Sequence, residues 1–217
     1  YPFIYLEVKG ERLMIMSDLE VDRARHQATV DRVVSYSELE RRAKSQGVKD
    51  PGNIDVIHLV LQDAGVHEIL VPPTFPFLHA QRLQEIGYRL STKRDPFYER
   101  RVMKSDEEVR HIEAAQRATE TAVSAAHESL RRAEIRENVL WLDGAVLTSE
   151  RVKKLINVAL MECGCVAQHT IVAGGEQACD PHDEGSGPLP AHRSIIFDVF
   201  PRSADSRYFA DMSRTVV

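Results

Sequence analysis

Apolar positions along the first hundred residues change period several times. FIYLEV and ERLMIMS, separated by Lys9-Gly10, are short apolar runs around a turn signal and predict a β-hairpin. SELERRAKSQG carries helical spacing and ends on Gly47, and IDVIHLVLQDAG predicts a second helix. HEILVPP predicts a buried strand, FLHAQRLQEIG a third helix and YRLST a further short strand. Helix and strand signals that alternate in this way predict an α/β fold, a mixed sheet flanked by helices.

Beyond about residue 100 the pattern changes. Asp95-Pro96 breaks the chain. Ser105 and Glu108 then form a capping-box pattern, and Asp106 and Glu107 favour the positive end of a helix dipole. Val109, Ile112, Ala115, Ala122, Ala126 and Leu130 recur at helical spacing, which predicts a long amphipathic helix with an alanine-rich buried face. LTSERVKKLINVALMECG predicts a second helix, capped by Thr148 or Ser149 and ended by Gly164. Its stripe is Val152, Leu155, Ile156, Ala159 and Leu160. After it QHTIVAGG, a polar loop, SIIFDVF, a turn at Pro201 to Ser206 and RYFADMSRTVV are β-like. The expected organisation is therefore an α/β domain over residues 1–98 and an α+β segment over 99–217, two helices followed by strands. No tandem repeat is visible.

Composition narrows the function classes. Of 217 residues 43% are hydrophobic and 28% charged, the balance of a globular protein. Net charge is −5, with no basic stripe of the kind that neutralises phosphates, so nucleic acid is not an expected partner. No apolar run approaches the roughly 20 residues that span a bilayer, so no membrane partner is expected either. No signal-peptide pattern is visible, though a chain opening on Tyr1 reads as one that has lost its natural start. Three cysteines, Cys163, Cys165 and Cys179, fit a reducing cytoplasm better than a disulfide framework. Cys163 and Cys165 have metal-ligand character as CxC, but read more plainly as two small apolar residues around a helix-ending glycine.

The candidate chemistry lies near the C-terminus. In IIFDVFPRSADSRYFADMSRT, Asp198 and Asp211 each follow an apolar run. On two antiparallel strands joined by a turn, the parity of the two positions allows both carboxylates onto one face. Ile196 shares parity with Asp198 and Phe209 with Asp211, so that face is expected to be apolar. Carboxylates on such a face need a partner, and a divalent cation is the usual one; a two-metal site is open to this pair. Spacing alone equally allows one Asp to face solvent and the other to cap the turn. The preceding loop, VAGGEQACDPHDEGSGPL, sets His182 between Asp180 and Asp183 among four glycines, and glycine at that density lets backbone approach a ligand closely.

TIVAGGEQACDPHDEGSGPL followed by IIFDVFPRSADSRYFADMSRTVV resembles the first half of the pita-bread catalytic domain of prolidase, aminopeptidase P, methionine aminopeptidase and creatinase. KSDEEVRHIEAA and LTSERVKKLI are similar to that family's first two helices, and the segment up to about residue 100 to the N-terminal domain of the creatinase and prolidase branch. The resemblance implies that Asp198 and Asp211 are metal ligands, Asp211 bridging two divalent ions. It also implies that His182 is a catalytic residue beside the substrate that does not bind metal. The implied activity is a Xaa-Pro dipeptidase or aminopeptidase, a metallopeptidase that hydrolyses the bond before proline in a peptide through a metal-bridged hydroxide. Mn is the metal expected first, with Co or Zn as alternatives. The turn between the two aspartates is one or two residues longer than the family pattern. The family completes its site with one His and two Glu beyond Val217, so this chain alone is expected to be inactive, and self-association, as a homodimer or otherwise, is expected. The alternatives are a non-catalytic pita-bread module that binds peptide or protein, and a metal-free creatinase-like amidinohydrolase.

Of the remaining residues, His169 is expected to hydrogen-bond locally at a strand start and His192 to sit in a turn. Trp141 and Leu142 with Asp143-Gly144 are expected to form a packed turn anchor. The other histidines scatter without a common spacing.

Overall fold

Lys9 and Gly10 both adopt left-handed backbone, φ +53° and +84°, the signature of a two-residue type I′ turn. They join strands β1 (Ile4–Val8) and β2 (Glu11–Met16), which pair antiparallel as the sequence predicts. The computed structural model describes residues 3–217, and the chain divides into two compact units, Tyr1–Val102 and Met103–Val217.

In the first unit a short helix, α1 (Val21–Gln27), leads to β3 (Arg32–Ser35), which pairs parallel with β2 to complete a three-stranded sheet. Neither element is expected from the sequence: VDRARHQ offers only Val21 and Ala24 as an apolar stripe, and RVVS runs straight into the cap of the next helix. Ser35 closes that strand and its Oγ accepts from Glu38 N at the start of α2 (Tyr36–Ser45). α3 (Asn53–Asp63) is buried on most of its circumference, with Ile54, Val56, Ile57, Leu59, Val60 and Leu61 inside. Leu13, Ile15, Leu39, Ala43 and Val56 pack between sheet and helices. β4 (Glu68–Val71), α4 (Phe77–Ile86) and β5 (Arg89–Thr92) follow, β4 and β5 forming a separate parallel pair. The expectation of a buried strand at HEILVPP is corrected: only Val71 of β4 is buried, and Leu70 is 52% exposed. This short two-stranded ladder has one side open.

The second unit opens on α5 (Asp106–Arg131), whose capping box is present as expected. Ser105 Oγ accepts from Glu108 N, and Glu108 Oε2 accepts from Ser105 N at 2.7 Å. Ala115, Ala118, Ala122 and Ala126 line its buried face, but Val109 is 41% exposed, so the stripe begins a turn later than expected. A meander of three short strands, β6 (Glu134–Arg136), β7 (Val139–Leu142) and β8 (Ala145–Val146), contains the Asp143-Gly144 turn. Arg136 lies over the Trp141 ring, 5.2 Å from its centroid. α6 (Ser149–Glu162) is capped by Thr148, whose Oγ1 accepts from Arg151 N. Val152, Ile156 and Leu160 are fully buried while Leu155 is 41% exposed, which narrows the expected stripe.

Gly164, at φ +70°, ends α6 and turns the chain into β9 (Cys165–Val166). Cys165 enters the core and Cys163 is exposed, so only one of the two cysteines is the apolar residue expected. β10 (Ile171–Gly174), β11 (Ile195–Val199), β12 (Arg202–Ser203) and β13 (Met212–Val216) follow. β11 lies between β10 and β13, antiparallel to both, and β12 pairs with β9. Ile195, Phe197 and Val199 point into a core formed with α5, α6, Leu147, Val172 and Leu189. Among the described residues no helix is long and apolar enough to cross a membrane.

Candidate metal site

Asp198 is the fourth of the five residues of β11, opposite Ile171 of β10 on one side and Ser213 of β13 on the other. Ser213 Oγ donates to Asp198 Oδ1 at 2.5 Å. The ladder of β11 with β13 starts at Ile195–Val216 and ends at Val199–Met212, and its offset recurs in the bonds nearer the turn. These are the Ala210 N bond with Pro201 O (3.1 Å) and the Ser203 N bond with Tyr208 O (2.9 Å). At that offset Asp211 falls opposite Phe200, one diagonal from Asp198, and its parity matches that of Ser213. Both aspartates belong to the same face of the hairpin, at the roughly 7–8 Å spacing of diagonal neighbours.

The expectation that this face is the apolar interior is corrected. The buried face of the hairpin is the other one, carrying Ile195, Phe197, Val199, Ala210 and Met212. Asp198 is half-buried, whereas Asp211, Ser213, Thr215 and Phe209 are exposed. Parity predicts which residues share a face, but the packing of α5 and α6 decides which face is covered. Among the described residues neither aspartate forms an ion pair with Arg or Lys. Two carboxylates without a cationic partner, set on one hairpin, are a hard oxygen donor set of the kind divalent cations accept. No three His, Cys, Asp or Glu residues converge into a metal-holding group among the described residues.

The His182 loop lies against the far edge of β10. Val172 N donates to Glu184 O at 3.0 Å, so the returning loop acts as a further strand position beside β10. Two strand spacings, roughly 10 Å, thus separate that loop backbone from β11. His182 is exposed; its backbone N–H donates to Asp180 Oδ1 at 2.9 Å. The structure brings Asp198 and Asp211 together by register and does not place His182 in hydrogen-bond contact with either.

Gly185 explains how the loop approaches so closely. A Cβ built there would stand 1.9 Å from Val172 O, on backbone of φ +77°. Of the four glycines in this loop, Gly187 faces open space and Gly175 makes only an ordinary contact. At Gly174 an added Cβ would meet Pro190 Cδ at 2.7 Å.

Three residues at the start of α6, not singled out as site residues by sequence reasoning, hold β10 and the loop in place. Ser149, fully buried, donates from Oγ to Val172 O at 2.7 Å instead of capping the helix. Lys153 Nζ donates to Gly185 O at 2.8 Å and to Glu184 O at 3.2 Å. Glu150 Oε1 accepts from Gly187 N at 3.0 Å, and that N–H together with the Thr148 hydroxyl holds the carboxyl below the usual glutamate range. The signal for them was present but short: the cap-like Thr148-Ser149 doublet with Glu150 and Lys153 on the next turns. His169, φ +57°, hydrogen-bonds Glu184 Oε1 through Nδ1 at 2.7 Å, the local role expected of it, and His192 sits in a turn at φ +58°.

The family model of metallopeptidase family M24 matches residues 110–217. Among solved structures, the prolidase from Pyrococcus furiosus superposes with a TM-score of 0.71 at 17% identity, over 99% of this chain and 59% of that one. The Xaa-Pro dipeptidase from Bacillus anthracis gives 0.75 at 15% identity, over 100% of this chain and 55% of that one. The proline aminopeptidase P II from Yersinia pestis gives 0.66 at 18%, over 98% and 49%. No curated protein matches. The chain thus spans about half to three-fifths of the length of the structures it resembles, which share its mixed α/β fold of several small sheets. Through residues 110–217, which carry His182, Asp198 and Asp211, the chain belongs to metallopeptidase family M24.

Proposed function

We propose that this chain is the N-terminal domain and first half of the pita-bread catalytic domain of a Xaa-Pro peptidase, whose substrates are peptides with proline in the second position. The observation that supports this reading is the β11–β13 pairing, which ends at Val199–Met212 and, continued at the same offset, puts Asp211 on the side of Asp198, within the segment matched by the M24 family. The similarity of the fold to a prolidase, a Xaa-Pro dipeptidase and an aminopeptidase P supports the substrate class.

In this reading the two aspartates hold a pair of divalent cations, Mn²⁺ before Co²⁺ or Zn²⁺. The donor set fits: both side chains are hard carboxylates, and Asp198 is oriented by Ser213 Oγ. When bound, such cations supply Lewis acidity to peptide hydrolysis. The chain's own contribution is positional. The strand pairing fixes the two carboxylates relative to each other, and the α6 clamp fixes the loop that carries His182. The imidazole of His182 supplies an N–H to the scissile carbonyl oxygen as negative charge develops there. A catalytic divalent site needs at least three protein ligands, so two carboxylates from one hairpin bind cations weakly and the 217-residue piece is inactive by itself.

The test is the activity of the longer parent protein on Xaa-Pro dipeptides and Xaa-Pro-containing peptides with added Mn²⁺. Metal-stimulated cleavage before proline, lost in Asp198→Asn and Asp211→Asn, is the expected result. Metal-independent cleavage, or none, contradicts the reading.

A further inference from the structure

The turn of the β11–β13 hairpin comes against the first turns of α5. Tyr208 Oη donates to Glu108 Oε1 at 2.7 Å, joining residues a hundred positions apart. His111, on the next turn of α5, stacks on the Tyr208 ring, with centroids 5.7 Å apart and planes inclined by 15°. The other carboxylate oxygen of Glu108 accepts from Ser105 N in the capping box. Glu108 is therefore engaged through both oxygens, one to its own helix start and one to the hairpin. Its carboxyl is held below the usual range by the Ser105 N–H and the Tyr208 hydroxyl, and the same carboxylate pushes the Tyr208 phenol up.

Tyr208 is three residues before Asp211, and backbone pairing continues from it as far as Ala210, the residue before Asp211. Ser203 N bonds Tyr208 O, Arg202 bridges Phe209, and Ala210 N bonds Pro201 O. The turn itself, Ala204 to Arg207, is exposed or half-buried and lies outside the core that packs Phe197 and Met212. A one-residue slip in this short ladder would carry Asp211 to the opposite face.

We propose that Tyr208 is a positioning residue for Asp211: its hydroxyl on Glu108 and its ring on His111 latch the hairpin turn to α5 and keep Asp211 on the face of Asp198. The proposal rests on the reading of these aspartates as cation ligands.

The test uses the full chain, with amide hydrogen exchange at Arg207, Ala210 and Met212 and with Mn²⁺ binding followed by the electron paramagnetic resonance of free Mn²⁺. Tyr208→Phe, which keeps the stack and removes the hydroxyl, is expected to speed exchange at Ala210 about threefold, and Tyr208→Ala about tenfold or more. Mn²⁺ affinity is expected to fall in the same order, while exchange at Val152 and Ile156 in α6 stays unchanged. Ser105→Ala loosens the first turn of α5 without touching the Tyr208–Glu108 bond, and is expected to leave hairpin exchange within about twofold of the parent. Unchanged exchange at Ala210 in Tyr208→Ala overturns the latch. Faster exchange with unchanged Mn²⁺ affinity overturns the positioning role and leaves only a structural one. Asp211→Asn separates the premise from the proposal: if it binds Mn²⁺ as well as the parent does, the ligand reading fails whatever the Tyr208 variants show, and the proposal falls with it.

Discussion

Replacing Gly185 with alanine tests the close approach of the His182 loop to β10. The new methyl would stand 1.9 Å from Val172 O and 2.6 Å from Val172 C, both backbone atoms that cannot swing aside. To reach the roughly 3.3 Å of an ordinary C···O contact the loop must retreat by more than an ångström. That movement breaks the Val172 N–Glu184 O bond and pulls Glu184 O and Gly185 O away from Lys153. A left-handed backbone costs a non-glycine residue about 1–2 kcal/mol, and forcing a methyl into a packed site adds about 1–3 kcal/mol. The expected loss is about 2–5 kcal/mol for Gly185→Ala, summed from those two terms. Gly187→Ala is the internal control. It shares the left-handed backbone, φ +72°, but its Cβ meets nothing within 4 Å, so only the about 1–2 kcal/mol backbone term applies. Urea unfolding followed by fluorescence of Trp141, the single tryptophan, reports on the second unit, and exchange at Val172 reports on the broken bond. Equal losses for the two variants, or protected Val172 in Gly185→Ala, would refute the reasoning.

Two further predictions concern the core and the acid limb. Phe197→Ala, at a fully buried position, is expected to lower stability by about 3–5 kcal/mol in the same unfolding assay. Ile196→Ala on the half-buried opposite face should cost clearly less, and the reverse order would mean that the covered face of the hairpin has been misassigned. In the first unit, Asp31 accepts from Arg12 Nε, Nη2 and N, which brings its carboxyl from an ordinary 3.8 down to about 2. A depressed carboxylate contributes stability that is complete above 3.8 and is lost as pH falls through about 2. A carboxyl-carbon NMR titration of Asp31 should therefore show its midpoint near 2, and Arg12→Ala should return it toward 3.8.

Local chemistry was legible in the sequence wherever one or two residues determine a conformation. Ser105 with Glu108, Thr148 and Gly164 mark helix ends because capping depends on side chains within one turn. Lys9-Gly10 marks a hairpin because few dipeptides tolerate two left-handed residues. The parity that puts Asp198 and Asp211 on one face follows from the period of a strand, given a constant register. What the pattern did not contain was which face the helices cover. Asp198 and Phe197 are neighbours on one strand, and only the packing of α5 and α6 makes Phe197 the buried one. α1 and β3 escaped because VDRARHQ is short and carries only Val21 and Ala24 as apolar residues, and RVVS is only four residues long. The α6 clamp escaped because Ser149 acts on β10 and Glu150 and Lys153 on the loop after it, all more than twenty residues away, and the cap-like doublet at the helix start signals a helix end without naming such distant partners.

The account stands on Asp198 and Asp211 serving as ligands of one divalent site. The most direct measurement is hydrolysis of a Xaa-Pro dipeptide by the parent protein after chelation and after addition of Mn²⁺, repeated for Asp211→Asn. The account predicts activity that disappears on chelation, returns with Mn²⁺, and does not return in the variant. Cleavage that survives chelation, or an Asp211→Asn protein as active as its parent, would contradict it.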